Sequence, residues 1–296
     1  MDGFTGLARL IKLGALALED LFRAADFLEG GATFFQQTAL LLCLSPTRRD
    51  DFEFQDELIA EELPSRLLRH SGLTLPLQNI SVLQSGHASG LSALLQASQF
   101  LQAGRFRRAL VLGIDSLVEE DTLQWLAIRR RLKTPEHPVG LMPGEAAAAV
   151  LLELGSEAVR RNAPLLGALA SVRTGRVSGE GRRGAESGRA LAYAIRQAWP
   201  SGSASVGDIF GDVNGEHSRA LEWGFAQSML RETRPLERVH LHAPAECLGD
   251  TGAASGLISV CAALQGVARG YSHGEQVLVW SSSDFGELAA ARLSGV

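Results

Sequence analysis

The sequence predicts an α/β protein built from two repeated halves. Stretches with apolar residues at helical spacing alternate with short apolar runs that are typical of buried strands. The alternation occurs twice along the 296 residues, each half closes with two strands in succession, and no low-complexity linker separates the halves. Strands separated by helices pair in parallel, with helices on both sheet faces. We therefore predict one domain, residues 1–296, with pseudo-repeated βαβαβ halves at 1–155 and 163–296.

The first half opens with a helix. Apolar spacing predicts this helix over residues 5–28, stopped by Gly30 and Gly31. The segment "GEAAAAVLLEL" closes the half, and its length and position favour a buried strand despite the helical preference of alanine. Between them we predict the strand "TALLLCLS", a helix at 55–70 kinked at Pro64, the strand "NISVLQS", a helix at 88–103, the strand "RALVLGID" and the helix "EEDTLQWLAIRRRL".

The second half repeats this order after an opening strand. That strand is "LLGALASVRTG", and the glycine-rich, charged segment "GRVSGEGRRGAESG" after it predicts an exposed, mobile loop. The remaining predicted elements are a helix at 186–198, the strand "VGDIFGDV", a helix at 217–230, the strand "RVHLH", a helix at 252–268, and a terminal hairpin of "QVLVWSSS" and "GELAAARLSG".

Composition excludes several classes of partner. A net charge of −5 and a pI near 5.8 leave no excess of basic residues for binding nucleic acid. The apolar runs are far shorter than the roughly 20 residues of a membrane helix, and no signal peptide is visible. Three cysteines without metal-type spacing fit reduced thiols. We expect a cytoplasmic protein that binds no membrane, nucleic acid, cofactor or metal ion.

Four segments, in order, resemble a known enzyme family. "SGHASGLSALLQA" resembles the nucleophile turn of β-ketoacyl-acyl-carrier-protein synthases, and "GLMPGEAAAAVLLEL" is similar to their Gly-x-x-Pro-Gly-Glu-Gly-Ala strand. "DIFGDVNGEHSRALEWGFA" and "AECLGDTGAASGLIS" resemble the segments that carry the family's two catalytic histidines. The resemblance implies a thiolase-like fold, an αβαβα layered sandwich, and a two-fold homodimer. It also implies a first half shortened at its N-terminus, because the family has a strand before the first helix.

The resemblance places other residue types at the family's catalytic positions. His87 stands at the cysteine position, Glu216 and Asp250 stand at the two histidine positions, and the usual lysine position falls near Ala245. Condensation needs a thiolate to carry the acyl chain as a thioester. We therefore do not expect Claisen condensation, although backbone N–H groups of the turn can still stabilise an oxyanion.

These three positions leave several interpretations open. His87 is a general base, a ligand, or a packed residue bonded to neighbouring backbone. Glu216 and Asp250 form an acid/base set or a weak metal site with it, or they cap helix N-termini. The candidate acyl- or substrate-binding residues beside them are Ser85, Ser89, His217 and Thr251.

A pair of histidines lies outside these motifs. His240 and His242 alternate along a strand and so share one of its faces. They form a metal pair, or they are buried and hydrogen-bonded, or they line a polar tunnel. The second and third interpretations are the more common roles of strand histidines.

Two functional hypotheses follow. The motifs also resemble short synthase-like proteins of Proteobacteria encoded beside type VI secretion effectors, which implies a catalytically degenerate adaptor or chaperone for a secreted effector. The alternative is an acyltransferase or thioester hydrolase acting on acyl-carrier or acyl-CoA substrates, with His87 as base and Asp250 or Glu216 orienting it. An acyl carrier protein is the other candidate partner, and the run Arg129 to Arg131 is a basic segment that can meet it or simply be solvated.

Overall fold

The structure is a computed structural model that confirms the predicted fold class, with two sheets covered by helices. It describes residues 3–25, 31–46, 48–49, 52–53, 59–177 and 184–295. The helices are α1 (Gly6–Ala24), α2 (Gly31–Gln36), α3 (Ile59–His70), α4 (Ser89–Gln102), α5 (Glu120–Ile128), α6 (Gly155–Arg160), α7 (Ala185–Ala198), α8 (His217–Arg231), α9 (Ala245–Leu248) and α10 (Ser255–Ala268). The strands are β1 (Thr38–Cys43), β2 (Arg48–Arg49), β3 (Phe52–Glu53), β4 (Ile80–Leu83), β5 (Arg108–Ser116), β6 (Glu145–Glu153), β7 (Ala168–Arg176), β8 (Val206–Phe210), β9 (His240–His242), β10 (Gln276–Ser282) and β11 (Glu287–Ser294).

The first large sheet has the strand order β4-β1-β5-β6. Strand β1 pairs in parallel with β4 and β5, and β6 pairs antiparallel to β5 along nine residues. Every residue of β1 and β5 is buried, which explains their unbroken apolar sequences. The alanine-rich segment "EAAAAVLLE" is a strand because pairing with β5 outweighs the modest helical preference of alanine.

The second large sheet has the order β7-β11-β10-β8-β9. Strand β8 pairs in parallel with β9 and β10, and β11 pairs antiparallel to β10 and β7. The order β9-β8-β10-β11 repeats the order β4-β1-β5-β6 of the first sheet. Within the described residues the first sheet has no counterpart of β7, so β6 is its end strand.

The two sheets enclose a shared layer of two helices. Helices α4 and α10 contact strands of both sheets. A Cβ placed on Gly90 of α4 would lie 3.2 Å from the backbone nitrogen of Leu257 in α10, so these helices pack with little between them. Leu41 and Val111 face this central layer, whereas the alternate residues Leu40 and Leu110 face outward.

Two further helical layers cover the outer faces. Helices α1 and α3 pack over the first sheet through a leucine-rich cluster that includes Leu18 and Leu67. Helix α7 packs on β7 and β11, and Trp223 of α8 stacks on Trp280 of β10 with ring centroids 5.3 Å apart. The result is the five-layered αβαβα sandwich.

Several predicted boundaries differ from the structure. Helix α1 ends at Ala24, four residues before its predicted end, and residues 26–30 lie outside the described residues. The same holds for residues 54–58 at the predicted start of α3 and for residues 178–183 of the predicted mobile loop, whose two ends belong to β7 and α7. The short helices α2, α6 and α9 were not predicted, because six residues or fewer show no helical period. No helix in the described part of the chain is long and apolar enough to cross a membrane.

Candidate functional site

Two matching turns lead into the central helices. The 3₁₀ turns Gly86–Ala88 and Gly252–Ala254 precede α4 and α10. Gly86 has a φ of 57° and Gly252 a φ of 52°, in the left-handed region that favours glycine. The segments "SGHASGL" at 85–91 and "TGAASGL" at 251–257 are identical at five of seven positions. This internal repeat can be read from the sequence alone.

His87 and Asp250 form a buried pair where the two turns meet. Nε2 of His87 lies 2.7 Å from Oδ1 of Asp250, and their side chains are 9% and 1% exposed. The same Oδ1 accepts the backbone N–H of Gly252 at 2.9 Å, and Oδ2 accepts an N–H of Asn214 at 2.6 Å. Asp250 thus accepts a hydrogen bond from its own turn and also holds the imidazole of the other turn, but it does not cap helix α10, which begins at Ser255 after the N-cap residue Ala254.

Each partner of this pair shifts the pKa of the other. Burial alone would lower the pKa of His87, but the carboxylates of Asp250 and Asp212 outweigh it and raise that pKa above its ordinary value. Burial alone would raise the pKa of Asp250, yet the imidazolium and the hydrogen bonds hold that pKa well below its usual range. The surroundings therefore favour the protonated form of His87 and the ionised form of Asp250.

Glu216 joins this pair through Asn214. The amide nitrogen of Asn214 lies 3.1 Å from Oε2 of Glu216 as well as 2.6 Å from Asp250. Glu216 accepts two hydrogen bonds from Arg131, Nε at 2.7 Å and Nη2 at 2.8 Å. Burial would raise the pKa of Glu216, but the bonds and charge of Arg131 lower it. The structure thus brings His87, Asp250 and Glu216 into one hydrogen-bonded cluster.

The expected capping role of Glu216 is wrong, whereas Arg129 and Arg130 are exposed, as in the solvated interpretation of the arginine run. Glu216 occupies the N-cap position of α8, but its side chain makes no capping hydrogen bond, because it forms the bidentate ion pair with Arg131. Arg131 also donates to Asp284 at 2.8 Å and is only 18% exposed. The arginine run therefore presents no continuous basic face, since its third member points inward.

A narrow cleft opens above the charged pair. His87, Asp250 and Arg131 form its polar floor, and its apolar walls are Leu117, Trp125, Leu126, Leu141 and Phe285. The space leaves room for about one water molecule. None of the chain's three cysteines lines this cleft.

The four predicted substrate-binding residues lie around the cleft but do not line it. Oγ of Ser89 is buried and accepts the backbone N–H of Ser85 at 2.9 Å, so both residues contribute to the turn itself. His217 is exposed at the start of α8. Thr251 is 3% exposed and lines a neighbouring small cavity with Asp250. Their roles in binding stay predictions.

Sequence reasoning missed the polar residues that support the cluster. Besides Asn214, these include Arg219, which is fully buried, donates to the backbone oxygen of Ser282 and lies 3.3 Å from Asp212. Oγ of Ser281 lies 2.7 Å from the backbone oxygen of His87 and 2.9 Å from Asp212. The signal was present as polar runs at strand ends, "GDVNGE" after β8 and "SSSD" closing β10.

Comparison with known proteins identifies the fold. No protein-family model matches the sequence, and no curated protein matches it. Among solved structures, the chain superposes on a chain of a type II polyketide synthase complex, which contains an acyl-carrier protein with its ketosynthase bound to the hexaketide. The TM-score is 0.80 at 14% identity, and the match covers 97% of this chain and 85% of that one. The fold is that of a ketosynthase.

Two further structures agree. A β-ketoacyl synthase from Burkholderia phymatum STM815 matches with a TM-score of 0.77 at 15% identity, over 97% of this chain and 82% of that chain. A ketosynthase from module 6 of the bacillaene synthase of Bacillus subtilis 168 matches with a TM-score of 0.74 at 14% identity, over 98% of this chain but only 59% of that one. The thiolase-like fold predicted from the motifs is confirmed, and identities this low carry the fold alone.

Proposed function

We propose that this chain works by binding and does not condense acyl groups. The observation that carries the proposal is the buried His87–Asp250 pair at the turn that resembles the synthase nucleophile turn. Covalent acyl transfer requires a nucleophile with a free electron pair. Nε2 of His87 is already engaged with the Asp250 carboxylate at 2.7 Å, so this nitrogen is not free to attack a thioester. The position that would hold the acyl chain therefore holds a structural ion pair.

The neighbouring positions support the same conclusion. Carboxylates stand where the resemblance places the two histidines that assist decarboxylation, and both are already engaged. Asp250 binds His87 and Asn214, and Glu216 binds Arg131. The remaining space accommodates about one water molecule, which is far less than an acyl chain and its carrier arm need.

The partner in this proposal is a protein. We assign the chain an adaptor or chaperone role for a secreted effector of a type VI system, acting in the cytoplasm as a homodimer. The support is the likeness of "GHASGLSAL" and "DVNGEHSRALEWGFA" to short synthase-like proteins encoded beside such effectors.

An assay with thioester substrates tests the absence of condensation. The purified protein is incubated with acyl-CoA and malonyl-carrier substrates, and CoA release and the intact mass of the protein are followed. We expect no turnover and no acyl adduct. Turnover that is lost in His87→Ala but kept in the control His137→Ala, which removes an exposed loop histidine, would contradict the proposal.

Co-purification tests the partner. The tagged chain is isolated from its native host, and the effector encoded beside it is then expressed, purified and mixed with the chain. We expect a stoichiometric complex on gel filtration, and a homodimer of the free chain by light scattering. Failure of the purified effector to bind would contradict the adaptor role.

A second candidate, thioester hydrolysis, is favoured by one observation. Nε2 of His87 lies 2.7 Å from a carboxylate that orients the ring, which is the arrangement of a general base and its supporting acid. Because the pKa of His87 is raised, such activity would increase with pH above the ordinary histidine range. A pH profile of CoA release, compared between the wild type and His87→Ala, distinguishes this candidate from simple binding.

A further inference from the structure

A second cluster of titratable side chains lies away from the cleft, on the second sheet. We propose that Asp208, His242 and His273 form a binding site for one divalent transition-metal ion of the zinc type. The proposal is independent of the proposed function, because the cluster shares no residue with the cleft. Asp208 lies in β8, four residues before Asp212, so about 13 Å of extended chain separates the two positions.

The three ligand atoms already converge. Nε2 of His242 lies 2.7 Å and Nδ1 of His273 lies 2.9 Å from the same oxygen, Oδ1 of Asp208. All three ligand atoms lie within 4.8 Å of one another. A tetrahedral zinc ion with bonds of about 2.0–2.2 Å separates its ligand atoms by about 3.4 Å. The two nitrogen–oxygen distances, 2.7 and 2.9 Å, would have to lengthen by less than about 1 Å to match that separation.

The sheet itself brings these residues together. Parallel pairing sets Asp208 opposite His240 and Phe210 opposite His242, so the histidine face of β9 adjoins the Asp208 side chain. The loop before β10 brings His273 close, and a Cβ placed on Gly207 would collide with the backbone of Gly274. Only glycine at position 207 permits that approach.

Neighbouring groups hold the ligands in place. The second oxygen of Asp208, Oδ2, accepts Oγ–H of Ser272 and the backbone N–H of His273, each at 2.7 Å, which leaves Oδ1 directed at the two imidazoles. The His242 ring stacks on Phe210 with centroids 4.6 Å apart, and the His273 ring stacks on His240 at 3.6 Å. Such outer partners orient metal ligands and tune their affinity.

Exposure and ligand type indicate the kind of ion. The side chains of His242 and His273 are 41% and 50% exposed, whereas Asp208 is only 3% exposed. An ion can therefore enter from solvent and keep water in its fourth position. Two imidazoles and one carboxylate suit zinc and its neighbours in the first transition row better than magnesium or calcium. The expectation that both strand histidines are buried is wrong, because His240 is exposed and His242 is half-buried, although His242 is hydrogen-bonded to Asp208. The candidate ligand beside His242 is His273 and not His240.

Calorimetry with zinc chloride alone tests the site. The full chain is stripped with a chelator, transferred to a non-coordinating buffer and titrated with zinc. We expect one saturable site per chain, and at least a tenfold loss of affinity in His242→Ala and in His273→Ala. His137→Ala, which removes an exposed loop histidine, is the matched control and should bind zinc as the wild type does.

Cobalt provides a second readout. Titration with cobalt chloride should produce visible absorption bands typical of tetrahedral coordination, and these should be lost in the double variant His242→Ala/His273→Ala. Both histidines are partly exposed, so this variant should fold, which circular dichroism checks. The proposal is overturned if the wild type shows no saturable zinc binding, or if the double variant binds zinc as tightly as the wild type.

Discussion

The turns before α4 and α10 share a backbone but differ in chemistry. Ser85 and Thr251, which begin them, have φ and ψ of −104° and 18° in one case and −105° and 18° in the other. The central residue is His87 in the first turn and the fully buried Ala253 in the second. The same main-chain path therefore accepts either a methyl group or an imidazole, and the side chain there decides whether the turn carries a charge.

Each turn is supported by an acid and a serine near the strand ends. The N–H of Ala253 donates to Oδ2 of Asp115 at 2.7 Å, and Ser45 donates to the same oxygen. At the other turn, Ser281 lies between Asp212 and the backbone oxygen of His87. The fold thus needs this support at both turns, whereas the ion pair with Asp250 is particular to the first.

Removing the carboxylate of Asp250 should have the largest effect. Asp250→Ala leaves the buried imidazole of His87 without its counter-charge, and we expect a loss of about 3–5 kcal/mol in the free energy of unfolding, measured by urea denaturation. The repeat supplies the control, because the exposed Gln84 precedes Ser85 as Asp250 precedes Thr251. Gln84→Ala should change stability by less than about 0.5 kcal/mol. Equal effects at both positions would refute a stabilising ion pair.

The two turn glycines should respond unequally to alanine. Both have positive φ, so either substitution costs about 1–2 kcal/mol for the left-handed backbone. A Cβ on Gly252 would also collide with the Asp115 carboxylate, whereas one on Gly86 would lie 3.3 Å from Oγ of Ser283. We therefore expect Gly252→Ala to lower the melting temperature more than Gly86→Ala does. The opposite order would show that the turns are not packed as described.

The charged turn should make stability depend on pH. The pKa of His87 is raised from 6.5, so its contribution is complete below about pH 6.5 and declines as pH rises through the raised value. The pKa of Asp250 is lowered from 3.8, so its contribution is lost only in stronger acid. The stability difference between wild type and His87→Ala should be greatest between about pH 4 and 6.5 and decrease toward pH 9, by about 1.4 kcal/mol per unit of pKa shift. A difference that does not change with pH would mean that folding leaves the pKa of His87 unshifted, and one that increases with pH would mean that His87 is kept neutral in the folded protein.

The smallest effects should come from the supporting serines. Ser281→Ala removes a hydroxyl from the His87 turn, and Ser45→Ala removes one from the Ala253 turn. Each should lower the free energy of unfolding by about 1 kcal/mol, the usual net value of one hydrogen bond. Chemical denaturation of both variants should show similar losses, since the two turns are supported alike. A large loss in Ser281→Ala alone would show that its contact with His87 also sustains the ion pair.

Most of the fold was predictable because its signals are local. Runs such as "TALLLC" and "RALVLGIDS" mark buried strands through their own composition, and the alternation of helix and strand implied parallel sheets before any contact was known. Short helices such as α6 and α9 escaped prediction because tertiary contacts, not sequence period, stabilise them.

The candidate site was only partly predictable. Resemblance indicated His87, Glu216 and Asp250, but Arg131 pairs with Glu216 across 85 positions of sequence and His87 with Asp250 across 163. Such pairs depend on how the two halves are placed against each other, which a linear pattern does not contain. The prediction that Glu216 caps a helix was wrong for this reason, since the sequence around Glu216 does not indicate that a distant arginine binds its carboxylate.

The sequence by itself determined that strands and helices alternate twice and that an imidazole, not a thiol, stands at residue 87. Only the tertiary structure decided that this imidazole is buried against a carboxylate that raises its pKa. The physical reason is that the pKa of a buried group depends on the carboxylates and guanidinium groups a few ångströms away. These groups belong to elements that are far apart in the chain.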